Sequence, residues 1–396
     1  APYPPQSSGG LEPMIKAAPI EPQPQKEVDV TYLRKLVGTL DQSSINNQPF
    51  SSIDFYTLSK TLGEGAYGKV KLAVHRFSGE KVAVKTFEKS KLTEPNAKKR
   101  VAREIRILKA LCHPNIIKLY EVVDVPYRRL LIMQYSSGGD LCRYVREHRR
   151  LSEQEACRLF CQIVDGLQYC HSCGIVHRDV KLDNLLIDEN KNIKIVDFGF
   201  SVSFKDGQKL RKACGSPSYA APEIVARRPY SPQGVDVWSL GVVLYAMVSG
   251  YFPFQGQNNQ DLCRKIIKGK FECASFMSAE CRDLVRRMLQ VDPVKRITMP
   301  ECIQHPWSRS THQRSTKPNP SEVKLRMIDC EVSQDFMENN QIQETDQEVM
   351  NEVAKTGFNR DYVEKSVTYN KFNLGSATYW MLHDRKSSRR RAGDNM

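Results

Sequence analysis

The apolar positions of this chain change period several times. Residues 56–62 lead as a strand into a glycine cluster, and residues 69–74 alternate polar and apolar side chains with a branched bias, the mark of a second strand. A turn at residues 77–80 brings in a third, Val82-Ala83-Val84-Lys85. Residues 97–111 then switch to helical spacing, with Val101, Ile105 and Leu108 on one face, until His113-Pro114-Asn115 ends the helix. Residues 116–119 and 130–133 read as strands again, and Leu185-Leu186-Ile187 and Ile193-Lys194-Ile195-Val196 bracket a turn at Asp188-Glu189-Asn190. Helical spacing dominates elsewhere: residues 153–172, 235–249, 258–268, 278–289 and 300–304, with Leu240, Val243, Leu244 and Met247 as ordinary core.

This pattern divides the chain. Residues 1–54 are rich in Pro, Gln and Ser and have few apolar side chains to offset ordering, which predicts a mostly disordered front whose prolines serve as linker. Residues 55–307 hold the strands and long helices, 308–343 form a polar linker, 344–384 a small helical module, and 385–396 a basic tail. With 396 residues and 40% hydrophobic content a large core is expected.

The net charge of +14 raises nucleic acid as a partner, but the cations are dispersed in small clusters, such as Lys98-Lys99-Arg100, without interleaved aromatics. A solvated basic surface is expected instead, with no nucleic acid. The 12 cysteines are scattered and Cys170-His171-Ser172-Cys173 lacks a second pair, so free intracellular thiols are expected rather than zinc or disulfides. No apolar run approaches the ~18 residues of a membrane span. The first residue is Ala, which reads as a fragment or processed form. A cytoplasmic location follows, with the nucleus as the alternative should Arg389-Arg390-Arg391 act as a signal rather than a solvated end.

Chemistry concentrates between His177 and Gly199. Asp179, Lys181, Asn184 and Asp197 could receive a hydroxyl proton, neutralise a moving phosphoryl group and hold Mg²⁺. The flanking apolar strands fix these polar groups to a core, so a plain surface loop does not explain them. Upstream, Gly63-Glu64-Gly65-Ala66-Tyr67-Gly68 precedes a strand rather than a helix, so the glycines form a hairpin lid that lets backbone amides approach phosphates. The strand period puts Ala83 and Lys85 on one face, suited to a stacked purine and to phosphates. A mostly buried Lys85 needs a carboxylate, and Glu104 is the candidate.

His177-Arg178-Asp179…Asn184 and Asp197-Phe198-Gly199 resemble the eukaryotic protein kinases, and Lys181 the serine/threonine class. The resemblance implies an α+β, bilobal kinase fold: a small β-rich N-lobe, a mainly helical C-lobe and a small C-terminal three-helix domain. It implies ATP and Mg as cofactors. Leu62, Gly63, Glu64, Gly65, Ala66, Tyr67, Gly68, Lys69, Val70, Ala83, Lys85, Glu104, Met133, Tyr135 and Leu186 would bind ATP, with Met133 behind the adenine and Asn184 and Asp197 on the metal. Asp140 matches the position that reads a substrate arginine, while also suiting a helix N-cap. Glu223 would pair with Arg296, and Asp236 would brace the backbone around Arg178.

Residues 214–223, Cys-Gly-Ser-Pro-Ser-Tyr-Ala-Ala-Pro-Glu, resemble the AMP-activated and sucrose-non-fermenting branch of the calcium/calmodulin-dependent kinase group. Ser216 would contact Asp179 and Lys181. That branch carries a phosphorylated Thr two residues before the Cys; here Lys212 stands there, with charge of the opposite sign beside Arg178. The loop would then need another phosphosite (Ser201, Ser203, Ser216 or Ser218), an acidic partner or intrinsic order.

Helical patterns at residues 348–354, 361–367 and 375–382, with Gly357-Phe358 between the first two and Asn359 as an N-cap, resemble the ubiquitin-associated-like domain of the same branch. Docking on the kinase is expected, because so small a core is marginal alone; ubiquitin capture is the alternative, and regulatory subunits are a further class of partner. The function read here is transfer of the ATP γ-phosphate to Ser/Thr of protein substrates, basophilic by branch. The competing class is a non-catalytic nucleotide-binding scaffold, which has no chemical need for Asp179, Asn184 and Asp197 together.

Overall fold

The structure is a computed structural model that describes residues 30–40, 51–65, 67–312 and 345–393. It has two lobes and a helical module. The small lobe is a five-stranded antiparallel sheet built from β1 (Tyr56–Gly65), β2 (Gly68–His75), β3 (Lys81–Glu88), β4 (Leu119–Val125) and β5 (Arg128–Gln134). Its order is β1-β2-β3-β5-β4, which leaves β4 at an edge. Helix α2 (Pro95–Ala110) turns Val101, Ile105 and Leu108 inward, as its spacing predicts.

Past β6 (Gly139–Asp140), the large lobe is helical. Helix α3 (Leu141–His148) and helix α4 (Glu153–Ser172) open it, each with a side-chain cap, from Asp140 and Ser152 respectively. The short strands β7 (Ile175–Val176), β8 (Leu185–Ile187), β9 (Ile193–Ile195) and β10 (Val202–Ser203) frame the polar loops, and β6-β8-β9 form one small sheet. After the short α5 (Pro222–Val225) comes α6 (Pro232–Ser249), apolar on every side because it is wrapped on every side: Val235 to Ser249 are all buried. Helices α7 (Asn259–Lys268), α8 (Ala279–Met288), α9 (Met299–Gln304) and α10 (Pro306–His312) complete the lobe. This is the expected bilobal α+β architecture.

Some expectations need correction. Ile116 to Lys118 are not strand: Ile116 makes only an isolated parallel bridge to Ile195, and β4 starts at Leu119. The polar linker starts later than residue 308, since α10 runs to His312. Within the front expected to be disordered, Val30–Gly38 is a helix, α1, with Leu33 and Val37 buried. Residues 1–29, 41–50 and 313–344 lie outside the described residues.

The module has helices α11 (Gln347–Lys355), α12 (Arg360–Thr368) and α13 (Leu374–Gly393). Sequence pattern ends the last at Leu382. The helix instead continues because its cations find partners: Arg385 pairs with Glu352 at 3.0 Å and Lys386 with Asp346 at 2.7 Å.

One apolar cluster joins the module, α1 and the outer face of the sheet: Leu33, Val37 and Leu40 with Val82, Val84, Tyr120 and Ile132, and with Val349, Phe358, Tyr362 and Leu382. Phe358 stands edge-on to Phe77, ring centroids 5.8 Å apart. The backbone N–H of Val122 on β4 donates to Phe372 O at 3.1 Å, so the module covers the sheet edge. The module and α1 thus lie on the back of the small lobe.

Candidate active site

The glycine turn is a hairpin: Gly63 opposes Val70, Glu64 opposes Lys69 and Gly65 opposes Gly68. A Cβ on Gly63 would meet nothing within 4 Å and one on Gly65 nothing closer than 3.8 Å, so room for a ligand stands over both. Gly68 is different; its Cβ would strike Thr86 O, so the close approach of β2 to β3 requires glycine there. Leu62, Glu64 and Lys69 are exposed, with Glu64 and Lys69 paired at 3.5 Å, and Tyr67 is half-buried. Ala66 lies outside the described residues.

Strand register places the cleft side chains. Lys85 opposes Val70 on β2 and Leu131 on β5; Ala83 opposes Leu72 and Met133. Tyr135 follows β5, half-buried, and Leu186 is half-buried between two buried neighbours on β8.

Lys85 Nζ donates to Glu104 Oε1 at 2.5 Å and to Asp197 Oδ1 at 3.3 Å. Glu104 is only 4% exposed, so α2 buries a carboxylate to meet the lysine. Burial opposes the charge on Lys85, but the Glu104 and Asp197 carboxylates outweigh it and hold the ammonium above its usual value. Burial likewise pushes Asp197 up, and Lys85 and His177 outweigh it, so this carboxyl is held below its usual range.

The loop between β7 and β8 is fastened by Asp236 from α6. Its Oδ2 accepts His177 N–H at 3.0 Å and Oδ1 accepts Arg178 N–H at 2.8 Å, while His171 Nε2 lies 2.8 Å from Oδ2. That bracing holds Arg178 at φ 66°, a left-handed conformation a non-glycine residue adopts only when its surroundings impose it. Asp179 follows, 4% exposed and fully engaged. Its Oδ1 accepts the Ser216 N–H and hydroxyl, both at 3.1 Å; its Oδ2 accepts Asn184 Nδ2–H and Lys181 Nζ–H, both at 3.0 Å. Lys181 also donates to Ser216 Oγ at 3.1 Å.

Residues 56–308 match the family described as "Protein kinase domain". The chain belongs to the protein kinase family. A "Probable serine/threonine-protein kinase MARK-A" of Dictyostelium discoideum is 48% identical over 272 residues, 68% of this chain and 26% of that protein. A "Serine/threonine-protein kinase SIK3 homolog" of Danio rerio is 40% identical over 337 residues, 85% of this chain and 28% of that one. An "SNF1-related protein kinase catalytic subunit alpha KIN12" of Arabidopsis thaliana is 39% identical over 341 residues, 86% of this chain and 66% of that one. The chain thus spans about a quarter of the first two relatives and just under two thirds of the third. The branch resembled by residues 214–223 is the one the Arabidopsis name carries.

Protein kinases use ATP and magnesium, and the residues present fit both. Asn184 gives its N–H groups to Asp179, which leaves its carboxamide oxygen, with the Asp197 carboxylate, as a candidate metal ligand. Two hard oxygens are what magnesium takes when phosphates and water complete its shell. Among the described residues no three His, Cys, Asp or Glu side chains cluster as a protein-only metal cage.

Asp140 Oδ1 caps α3 by accepting Arg143 N–H at 2.8 Å. Glu223 and Arg296 form a buried two-fold bond, 2.7 and 2.9 Å. The sequence reading passes over Tyr230, whose hydroxyl links Arg178 to the backbone of Lys212; no motif marks it, and only the fold brings it there.

Proposed function

We propose that this chain transfers the γ-phosphate of ATP to serine or threonine hydroxyls of protein substrates. The observation that carries this is the coordination of Asp179. Its carboxylate is buried, oriented from both oxygens, and already accepts an alcohol O–H, that of Ser216 at 3.1 Å. A substrate hydroxyl is the same donor, so Asp179 is set to orient it and receive its proton.

Lys85, fixed by Glu104, would hold the nucleotide phosphates from one side, and the glycine hairpin from the other. Lys181, on Asp179 and Ser216, would neutralise charge on the group in flight. Asn184 and Asp197 would hold magnesium, which when bound neutralises phosphate charge. Asp140 would give a preference for a basic residue before the acceptor, while capping α3 with its other face.

For the C-terminal module we infer a ubiquitin-associated-like fold used for docking rather than for ubiquitin capture. Its Gly357-Phe358 turn is covered: Phe358 is 4% exposed, and a Cβ on Gly357 would meet Arg34 O of α1 at 3.1 Å.

The test is phosphate transfer from radiolabelled ATP, with magnesium, to a basic serine peptide. Asp179→Asn should lose transfer while keeping nucleotide affinity. A wild-type chain that binds ATP yet labels no peptide or protein would leave only the scaffold reading.

A further inference from the structure

One face of the large lobe carries charge and ring surface that phosphotransfer does not use. The turn between α3 and α4 exposes Arg149 and Arg150. Arg149 stands at φ 63°, its N–H donating to Arg146 O at 3.2 Å, and the Arg150 N–H donates to His148 O at 2.7 Å. The end of α6 lies flush on this turn. The Leu151 N–H donates to Met247 O at 2.8 Å, and a Cβ on Gly250 would fall 2.1 Å from Arg149 O and 3.7 Å from Arg150 Cβ. Both arginines therefore stand on fixed backbone beside Tyr251, the residue after that glycine.

Two aromatic rings share the face. Tyr251 is 44% exposed and stands edge-on to the buried Tyr245, ring centroids 5.6 Å apart. Phe276, between α7 and α8, is 50% exposed, and the Arg150 guanidinium lies over its ring, 3.9 Å from the centroid. Arg150 thus connects the two rings. The acids of α3 and of the first turn of α4 are engaged elsewhere. Glu147 pairs with Arg143 at 3.6 Å, and Glu155 accepts the Tyr144 hydroxyl at 2.6 Å. Glu153 accepts the Ser278 N–H and hydroxyl at 2.6 and 2.7 Å and Trp307 Nε1–H at 2.8 Å. Among the described residues neither Arg149 nor Arg150 forms an ion pair with a carboxylate.

We propose that Arg149, Arg150, Tyr251 and Phe276 form a docking surface for an acidic segment of a substrate protein, one in which carboxylates flank an apolar side chain. The chemistry selects this occupant. Each exposed guanidinium offers a planar fork that matches a carboxylate, and the two half-exposed rings offer apolar area to the side chain between. A base or a bilayer fits less well. The guanidinium already lies over the Phe276 ring, where a base would stack. A ring capped by a charge enters hydrocarbon only by desolvating that charge. The proposal rests on the phosphotransfer reading only for what the docked protein is used for: tethering raises the effective concentration of its serine at Asp179. Binding itself is separate.

The experiment is fluorescence anisotropy on the full chain with two degenerate peptide pools, Asp or Glu flanking a Leu or Phe position against Asn or Gln in the same flanks. The acidic pool should bind about tenfold or more tightly. Arg150→Glu and Phe276→Ser should each remove most of that preference with unchanged melting temperature, and Arg150→Lys should keep part of it. In kinetics, a basic serine peptide joined to the acidic segment by a Gly/Ser linker should show KM lowered about tenfold at unchanged kcat. That gain should vanish in Arg150→Glu, while the peptide without the segment is phosphorylated equally by both chains. Equal binding of the pools, or a preference that survives either variant in full, overturns the proposal, and a KM indifferent to the segment overturns its use for substrates. Phosphatidylserine vesicles or a single-stranded RNA oligonucleotide that bind more tightly than the acidic pool, and lose binding in Arg150→Glu, overturn a protein as the occupant. A chain that prefers the acidic pool yet phosphorylates nothing sinks the phosphotransfer reading and leaves the docking surface standing; one that phosphorylates peptides with no such preference does the reverse.

Discussion

Lys118 and Asp384 meet in an ion pair of 2.8 Å that joins the front of β4 to the last helix of the module. The Tyr120 hydroxyl adds a hydrogen bond to the same carboxylate at 2.9 Å, and Lys118 lies 4.5 Å from the Trp380 ring. Burial alone would raise the Asp384 carboxyl, but Lys118 outweighs it and holds it down at about 2. Asp384→Asn should weaken docking by about 1–3 kcal/mol. Hydrogen exchange should then quicken across α11 to α13 and stay slow in α6.

Helix α1 presents Leu33 and Val37 to the seam between module and sheet, 1% and 0% exposed. Leu33→Ala should lower stability by about 2–4 kcal/mol in urea melts. Removal of residues 1–40 should expose the Gly357-Phe358 turn, read as new protease cleavage there.

Glu104 positions Lys85 rather than touching the reaction. Glu104→Gln should lower kcat/KM on the order of 10²-fold through misplacement of the lysine, with nucleotide affinity less affected. Steady-state kinetics with a basic peptide separates the two.

Tyr230→Phe removes the hydroxyl between Arg178 and Lys212. The segment should loosen by about 1 kcal/mol, and limited proteolysis should cut faster near Lys209 to Lys212.

Glu121 is buried on β4, 1% exposed, with Tyr56 donating to it at 2.7 Å. Burial raises its carboxyl to about 7, against the hydrogen bonds from Tyr56 and Ser52 that pull it down. The fold therefore favours the protonated acid. The stability this contributes is complete below the ordinary value of 4.5 and is lost as pH rises toward 7. The loss should be about 2–3 kcal/mol over that window, and Glu121→Gln should flatten it in melts taken across pH.

Much of the small lobe was legible in the sequence because its signals are local. Alternation after Gly68 distinguished a hairpin from a helix-capped turn, and a lysine in a buried strand demanded an acid, which the spacing of α2 supplied in Glu104. Where sequence reasoning failed, the deciding partner lay far away. The stripe Leu33, Val37 and Leu40 has helical period, but the Pro-rich flanks hid it, and it is stable only against a module some three hundred residues on. Ile116 and Ile117 have strand chemistry without a ladder to join. The continuation of the last helix past Leu382 was hidden because Glu352 and Asp346, which pair with Arg385 and Lys386, lie elsewhere in the module. Tyr230 acts through one hydroxyl, for which no pattern exists.

The hydrogen bond from Val122 to Phe372 has a further consequence for solubility. An edge strand with open amides is a template for other chains, and β4 is such an edge, flanked by the apolar side chains of Tyr120 and Val123. A version cut after His312 would keep every catalytic group yet bare that strand, and it should self-associate at concentrations where the intact protein stays monodisperse.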